Sequence, residues 1–159
     1  MKNRLEARYL FHVCLLAGAL SLTACSYGTN FVIANASDQP VEIRYKIKKP
    51  ADPVAQSRMP VSPAIKMVSE LNQEIPWREL PASRYKFDPD SRMAVVSLMQ
   101  GEALLVEHLN LVDKSYEAAD FPIEEIEITG TYGEIKLQGE QVFKSFVAES
   151  KKLSAITYR

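Results

Sequence analysis

Cysteine is nearly absent from this chain. Its 159 residues hold two, Cys14 and Cys25, and none follows position 25. No disulfide can form beyond that point, so an exported domain of this sequence rests on its apolar core alone. Histidine is equally scarce, with His12 and His108. A zinc site needs several imidazole or thiolate ligands, and the chain after Cys25 offers one histidine and no thiol. There is no glycine-rich phosphate loop and no G-x-S-x-G context for a serine nucleophile. Long apolar runs are missing too. The longest, Tyr9–Leu20, covers about a dozen residues, against about 20 for a membrane-spanning helix.

Positive charge is also in short supply. Lys2, Arg4 and Arg8 fall in the first 24 residues with one acid, Glu6, which leaves 16 basic and 19 acidic residues after them, a net −3. That balance argues against the basic, clustered surface of a nucleic-acid binder. It also argues against a polybasic membrane patch. What remains is ordinary for a folded protein: 47% hydrophobic and 25% charged residues. A domain of about 135 residues hides roughly two thirds of its unfolded surface, enough to fold without a metal or a disulfide. No cofactor is expected.

The N-terminal segment has a clear organisation. Residues 1–8, MKNRLEAR, are short and net positive. Residues 9–20 are apolar, and small residues then precede a cysteine. This is the layout of a secretory signal. The four residues Leu22-Thr23-Ala24-Cys25 resemble the lipobox of bacterial lipoproteins: an aliphatic residue, two small ones and cysteine. The resemblance implies cleavage between Ala24 and Cys25, a diacylglycerol on the Cys25 sulfur and often a third acyl chain on the freed amine. Residues 1–24 would be the signal peptide, helical while present. Residues 25–30 would be the acylated cysteine and a short tether. Cys14 is a poor rival, because bulky Val13 precedes it in mid-run. The competing reading is an uncleaved anchor or an ordinary signal with an incidental cysteine.

The membrane is then a partner through covalent lipid on Cys25. Each buried methylene contributes about 0.8 kcal/mol, and two or more chains hold stably. Ser26 stands where inner-membrane lipoproteins of Gram-negative bacteria tend to carry aspartate, so the resemblance points to the outer-membrane class. The five residues from Ser26 to Asn30 span at most roughly 18 Å. The domain should stand close to the bilayer.

Residues 31–159 read as one mainly β domain. Phe31–Ala34 is a short apolar run, and Ser37-Asp38-Gln39-Pro40 is turn chemistry. In 41–48, Val41, Ile43, Tyr45 and Ile47 alternate with Glu42, Arg44, Lys46 and Lys48, which predicts a strand with one buried face. The two runs read as an antiparallel hairpin. Residues 49–90 hold seven of the nine prolines and form a Pro-rich, insert-like loop segment. Within it, Ile65, Val68 and Leu71 are spaced for a short helix over 64–73, and Trp77 and Leu80 are placed to fasten it to the core. Strands are predicted at 92–98 and 103–108. A hairpin over 123–138 turns at Gly130-Thr131-Tyr132-Gly133. Val142, Phe143, Phe146 and Val147 predict a second short helix at 140–148, and Leu153–Tyr158 is a closing strand. About seven short strands read as an antiparallel β-sandwich, Ig-like without the Cys…Trp…Cys core.

Candidate chemistry is thin, and no catalytic or metal-ligating residue is expected. His108, at a predicted strand end, reads as a locally bonded residue. Asp120, Glu124, Glu125 and Glu127 suggest a cation or a carboxylate pair, but Glu125 and Glu127 alternate with apolar isoleucines and belong on a wet strand face. Arg44, Lys46, Lys48 and Lys49 read as edge-strand protection or as a headgroup contact. Met59, Met67, Met93 and Met99 read as core filling. The first functional reading is a non-catalytic envelope module that binds a protein or acts as a scaffold. The second is a small-ligand or glycan-binding domain using Trp77, Tyr85, Phe87, Tyr116 and Phe121. An enzyme comes last.

Overall fold

The computed structural model describes residues 27–49, 63–111, 117–119 and 121–159. The expected signal helix over 1–24, the cleavage point and Cys25 lie outside the described residues. The described residues form eleven strands and one short α-helix: β1 (Tyr27–Asn35), β2 (Val41–Ile47), β3 (Ala64–Met67), β4 (Arg78–Glu79), β5 (Tyr85–Asp88), β6 (Met93–Leu98), β7 (Glu102–Leu111), β8 (Ile123–Gly130), β9 (Gly133–Gln138), α1 (Glu140–Lys144), β10 (Val147–Ser150) and β11 (Leu153–Tyr158). They form a β-sandwich of two sheets, ordered β10-β11-β1-β7-β3-β4 and β5-β6-β2-β8-β9. Every pairing is antiparallel except β1 with β11, which run parallel from Asn30↔Leu153 to Asn35↔Tyr158. The expected all-antiparallel sandwich therefore holds with one exception, the first strand against the last.

The alternation in β2 works as the sequence suggests. Val41, Ile43, Tyr45 and Ile47 are buried, and the residues between them face outward. The partner is different from expected. β1 and β2 do not pair; they lie in different sheets. The reason is in the corner. Asn35 Nδ2 donates to the carbonyls of Gln39 (2.8 Å) and Leu98 (3.2 Å), while the Ser37 amide and hydroxyl donate to Asn35 Oδ1 (3.1 and 2.6 Å). These bonds satisfy the turning backbone locally and swing the chain across the core instead of back along its own sheet.

The expected helix over 64–73 is absent. Ala64–Met67 is strand β3, paired with β7, and only Val68–Glu70 forms a single 3-10 turn. Ile65 enters the main core while Leu71 packs on the opposite side of the six-stranded sheet. The two residues share no face, so their helical spacing was coincidental. The second helix is shorter than expected: α1 ends at Lys144, and Val147 pairs in β10 instead. The β8–β9 hairpin and the closing strand β11 form where the sequence places them.

The main core lies between the sheets. It includes Ile33, Ile43, Val96, Leu98, Leu104, Ile126, Ile128 and Val142. Each such side chain stabilises by about 1.5–3 kcal/mol relative to exposure. A second, smaller cluster covers the outside of the six-stranded sheet: Val32, Leu153 and Ala155, with Leu71, Trp77 and Leu105 against them. Trp77 and Leu80 do fasten the Pro-rich segment, Leu80 in the main core and Trp77 in this outer cluster.

The strand directions give the sandwich two distinct ends. Asn35, Val41, Leu98, Glu102, Gly130 and Tyr158 gather at one. Tyr27, Leu111, Leu153, Ile47, Met93 and Gln138 gather at the other, where β1 begins. A phenyl cluster closes the core toward this Tyr27 end: Phe31 meets Phe121 at 5.0 Å and Phe146 at 5.3 Å between ring centroids, and Phe143 lies 5.6 Å from Phe121.

Candidate functional site

The sequence points to one residue, Cys25, which precedes the Tyr27 end of the sandwich. Strand β1 is in register from Tyr27↔Leu111 onward. Residues Tyr27–Asn30, expected as tether, are therefore strand, and one residue of sequence, Ser26, stands between Cys25 and the first described residue. Two residues reach roughly 7 Å at most. Their short polar composition hid the strand; what holds it is pairing on both sides. The Asn30 amide donates to the Lys152 carbonyl (2.9 Å) and Thr29 Oγ1 to the Lys151 carbonyl (3.4 Å), so the β10–β11 turn is bonded to the start of β1.

Across the core, β2 leaves at the same end. The Lys48 amide donates to the Pro122 carbonyl at 2.7 Å. Lys48 Nζ reaches the carbonyls of Ala118 (3.4 Å) and Ala119 (3.1 Å). Arg92, with φ of 60°, donates from Nε to the Ile47 carbonyl (3.0 Å) and from Nη2 to the Lys48 carbonyl (2.5 Å). The left-handed backbone at Arg92 carries a bulky residue only because those bonds hold it.

His108 is not at a strand end but within β7. It is exposed, and its Nδ1 lies 2.6 Å from Asn30 Oδ1. Its neighbour Glu107 sits in register with the buried Phe31 beside a bulge, and burial pushes the Glu107 carboxyl up, opposed by the His108 amide that donates to it. The acids of β8 are wet-face residues: Glu124 pairs with Lys46 (3.5 Å), Glu127 with Lys136 (3.9 Å), and Glu125 accepts from Gln138 Nε2 (3.1 Å). Asp120 lies outside the described residues. Glu125 and Glu127 line a shallow depression with Arg44, Met93 and Val95 on the outer face of the five-stranded sheet. Arg44 there is already bound to Glu42 at 2.8 Å.

Three sequence readings are corrected. The basic residues Arg44, Lys46 and Lys48 do not protect an edge, because β2 is the middle strand of its sheet. The methionines are not uniformly core: Met93 lies on the outer face and Met99 is 40% exposed. The aromatic candidates are dispersed. Phe121 is buried in the main core, Tyr85 and Phe87 pack against it, and Trp77 sits outside the other sheet. Tyr116 and Met59 lie outside the described residues.

Two polar features escaped the sequence reading. Lys66, on β3, is buried under Trp77, with Nζ 5.1 Å from the ring centroid and donating to the Gln73 carbonyl at 3.2 Å. Arg84 forms an ion pair with Glu102 and also donates from Nε and Nη2 to the Ser97 carbonyl (3.0 and 2.8 Å). Both link residues distant in sequence, and only the lone Lys66 between apolar neighbours hinted at either. Tyr45, deep in the core, has its phenol pushed up by burial and by Tyr85 beside it.

Among the described residues no group of three or more His, Cys, Asp or Glu side chains is placed to hold a metal ion. Among the same residues, no helix is long and apolar enough to cross a membrane. Compared with protein-family models, curated proteins and solved structures, the chain matches none.

Proposed function

We propose that this chain is a lipid-anchored module of the bacterial cell envelope that works without catalysis, as an interaction or scaffold domain. The observation that carries the reading is Leu22-Thr23-Ala24-Cys25 at the end of a short apolar run. Acylation there supplies two or more chains, which hold stably where one does not. Ser26 in the following position favours the outer membrane. A strand beginning at Tyr27 suits the reading, since it leaves the lipid and the domain almost no slack. The dispersal of the aromatic side chains removes the support for a glycan groove, so the interaction reading stands ahead of it.

The deciding experiment is metabolic labelling with palmitate in a host that processes lipoproteins. The wild-type chain should be labelled and shortened by its signal. Cys25→Ser should be unlabelled and retained as precursor. A Cys25→Ser protein that is still labelled and cut overturns the anchor. For the interaction role, affinity capture from detergent-solubilised membranes should recover a specific partner, and capture of none overturns that half of the reading.

A further inference from the structure

Building on the lipid-anchor reading, we propose that the Tyr27 end of the sandwich is a docking surface for anionic phospholipid headgroups, with Lys49, Lys151 and Lys152 as its contact residues. An acyl chain on Cys25 lies within roughly 7 Å of Tyr27. Groups around the start of β1 are then held at headgroup depth.

Several cations elsewhere are matched to carboxylates: Arg44 to Glu42, Arg78 to Glu70, Arg84 to Glu102, and Lys136 to Glu127 and Glu134. Lys49, Lys151 and Lys152 are exposed and have no carboxylate partner among the described residues. Lys48 and Arg92 spend their donors on backbone carbonyls and keep their charge at the same end. The lysine turn is no loose appendage, since its two carbonyls accept from Thr29 and Asn30 of the anchor strand. Of the acids nearby, Glu124 is paired with Lys46 and Glu140 with Lys144. Asp88 and Asp90 lie at the same end, at the β5–β6 turn that also carries Arg92, and Glu117 and Glu149 flank the group. The parallel β1–β11 pairing thus sets Lys151 and Lys152 beside Thr29 and Asn30 of the anchor strand, and Lys49 follows β2 at the same end.

The test uses the full chain, processed and acylated, in vesicles that carry a headgroup quencher. Because no cysteine follows Cys25, a thiol-reactive fluorophore can be placed at one site through Ala119→Cys, near the Tyr27 end, or Thr131→Cys, at the opposite end. In phosphatidylcholine mixed with phosphatidylglycerol, the fluorophore at 119 should be quenched several-fold more than that at 131. The excess should shrink in phosphatidylcholine alone and at high salt. Lys49→Glu with Lys151→Glu and Lys152→Glu should abolish the lipid-charge dependence, each lysine contributing roughly fivefold to the docked state. If that variant fails to fold by circular dichroism, Lys151→Ser with Lys152→Ser should still reduce the dependence. A short tether without docking gives an excess indifferent to lipid charge and to the lysines, and that result overturns the proposal. Absence of acyl label on the wild-type chain overturns the anchor and the docking together. Label without charge dependence overturns the docking alone.

Discussion

Gly130 and Tyr158 touch across the core: a Cβ built on Gly130 would lie 2.7 Å from Tyr158 Oη and 2.9 Å from its Cε1 and Cζ. The ring cannot retreat freely, since Tyr158 is buried and its hydroxyl donates to the Gly133 carbonyl at 3.0 Å. Gly130→Ala should therefore destabilise by about 1–3 kcal/mol, the usual cost of overpacking. Tyr158→Phe should cost about 1 kcal/mol through one lost hydrogen bond. Urea denaturation measures both. In a Tyr158→Ala background the Gly130→Ala cost should largely vanish, and a cost that persists there places the clash elsewhere.

Glu102 makes the opposite end of the sandwich sensitive to acid. Burial works to raise its carboxyl, but hydrogen bonds from Arg84 and the Met99 amide, with the charge of Arg84, outweigh burial and hold it below the usual glutamate value of 4.5. A carboxyl depressed on folding contributes stability at pH above its unfolded value, and loses that contribution as pH falls through the folded value. Unfolding free energy should therefore drop below about pH 4.5, and Glu102→Gln should flatten that part of the profile. Arg84→Ala should cost about 2–4 kcal/mol at neutral pH, because it strands a half-desolvated carboxylate. An unchanged acid limb in Glu102→Gln would rule out this pair as its source.

Glu107 should show the reverse sign. Burial raises its carboxyl, so ionisation at neutral pH opposes folding, and the penalty disappears as pH falls through the raised value. Glu107→Gln keeps an acceptor for the His108 amide. It should stabilise at pH 7 by a few tenths to about 1 kcal/mol, limited by solvent screening of a partly exposed group. The gain should vanish in acid. Thermal melts of the two proteins across pH decide it, and a variant no more stable than wild type at pH 7 contradicts the assignment.

Much of the fold was legible where burial is local. The alternation of Val41, Ile43, Tyr45 and Ile47, the Gly130–Gly133 hairpin and the closing strand all follow from neighbouring residues. Sheet membership was not. The Ser37–Pro40 corner reads like a hairpin turn, yet Asn35 and Ser37 use their side chains to send the chain into the other sheet. The start of β1 was missed because Gly28, Thr29 and Asn30 carry no apolar signal; they become strand through β7 and β11. The Cys25 motif is contiguous and therefore readable. Lys151 and Lys152 are more than a hundred residues from it in sequence, and only the β1–β11 pairing sets them beside the start of β1.

Lys66 gives the sharpest test of how the outer cluster is held. It is 5% exposed, with one carbonyl acceptor and one aromatic face for its ammonium, and no carboxylate partner among the described residues. A cation over an aromatic ring contributes about 0.5–2 kcal/mol. Desolvating an ammonium costs several kcal/mol, and a single carbonyl recovers only part of that. The two sides nearly cancel, so Lys66→Met, which keeps length and volume, should change stability by less than about 1 kcal/mol, in the stabilising direction if either. Lys66→Glu should destabilise strongly, since it puts a carboxylate against the Gln73 carbonyl and the ring face. Trp77→Ala should cost about 2–4 kcal/mol in either background, because the ring covers Val32, Leu153 and Ala155 whatever residue 66 carries. Equilibrium denaturation of the four proteins forms a double-mutant cycle. A loss of more than about 2 kcal/mol in Lys66→Met would mean that the ammonium, and not the indole, holds the 68–77 segment against the sheet.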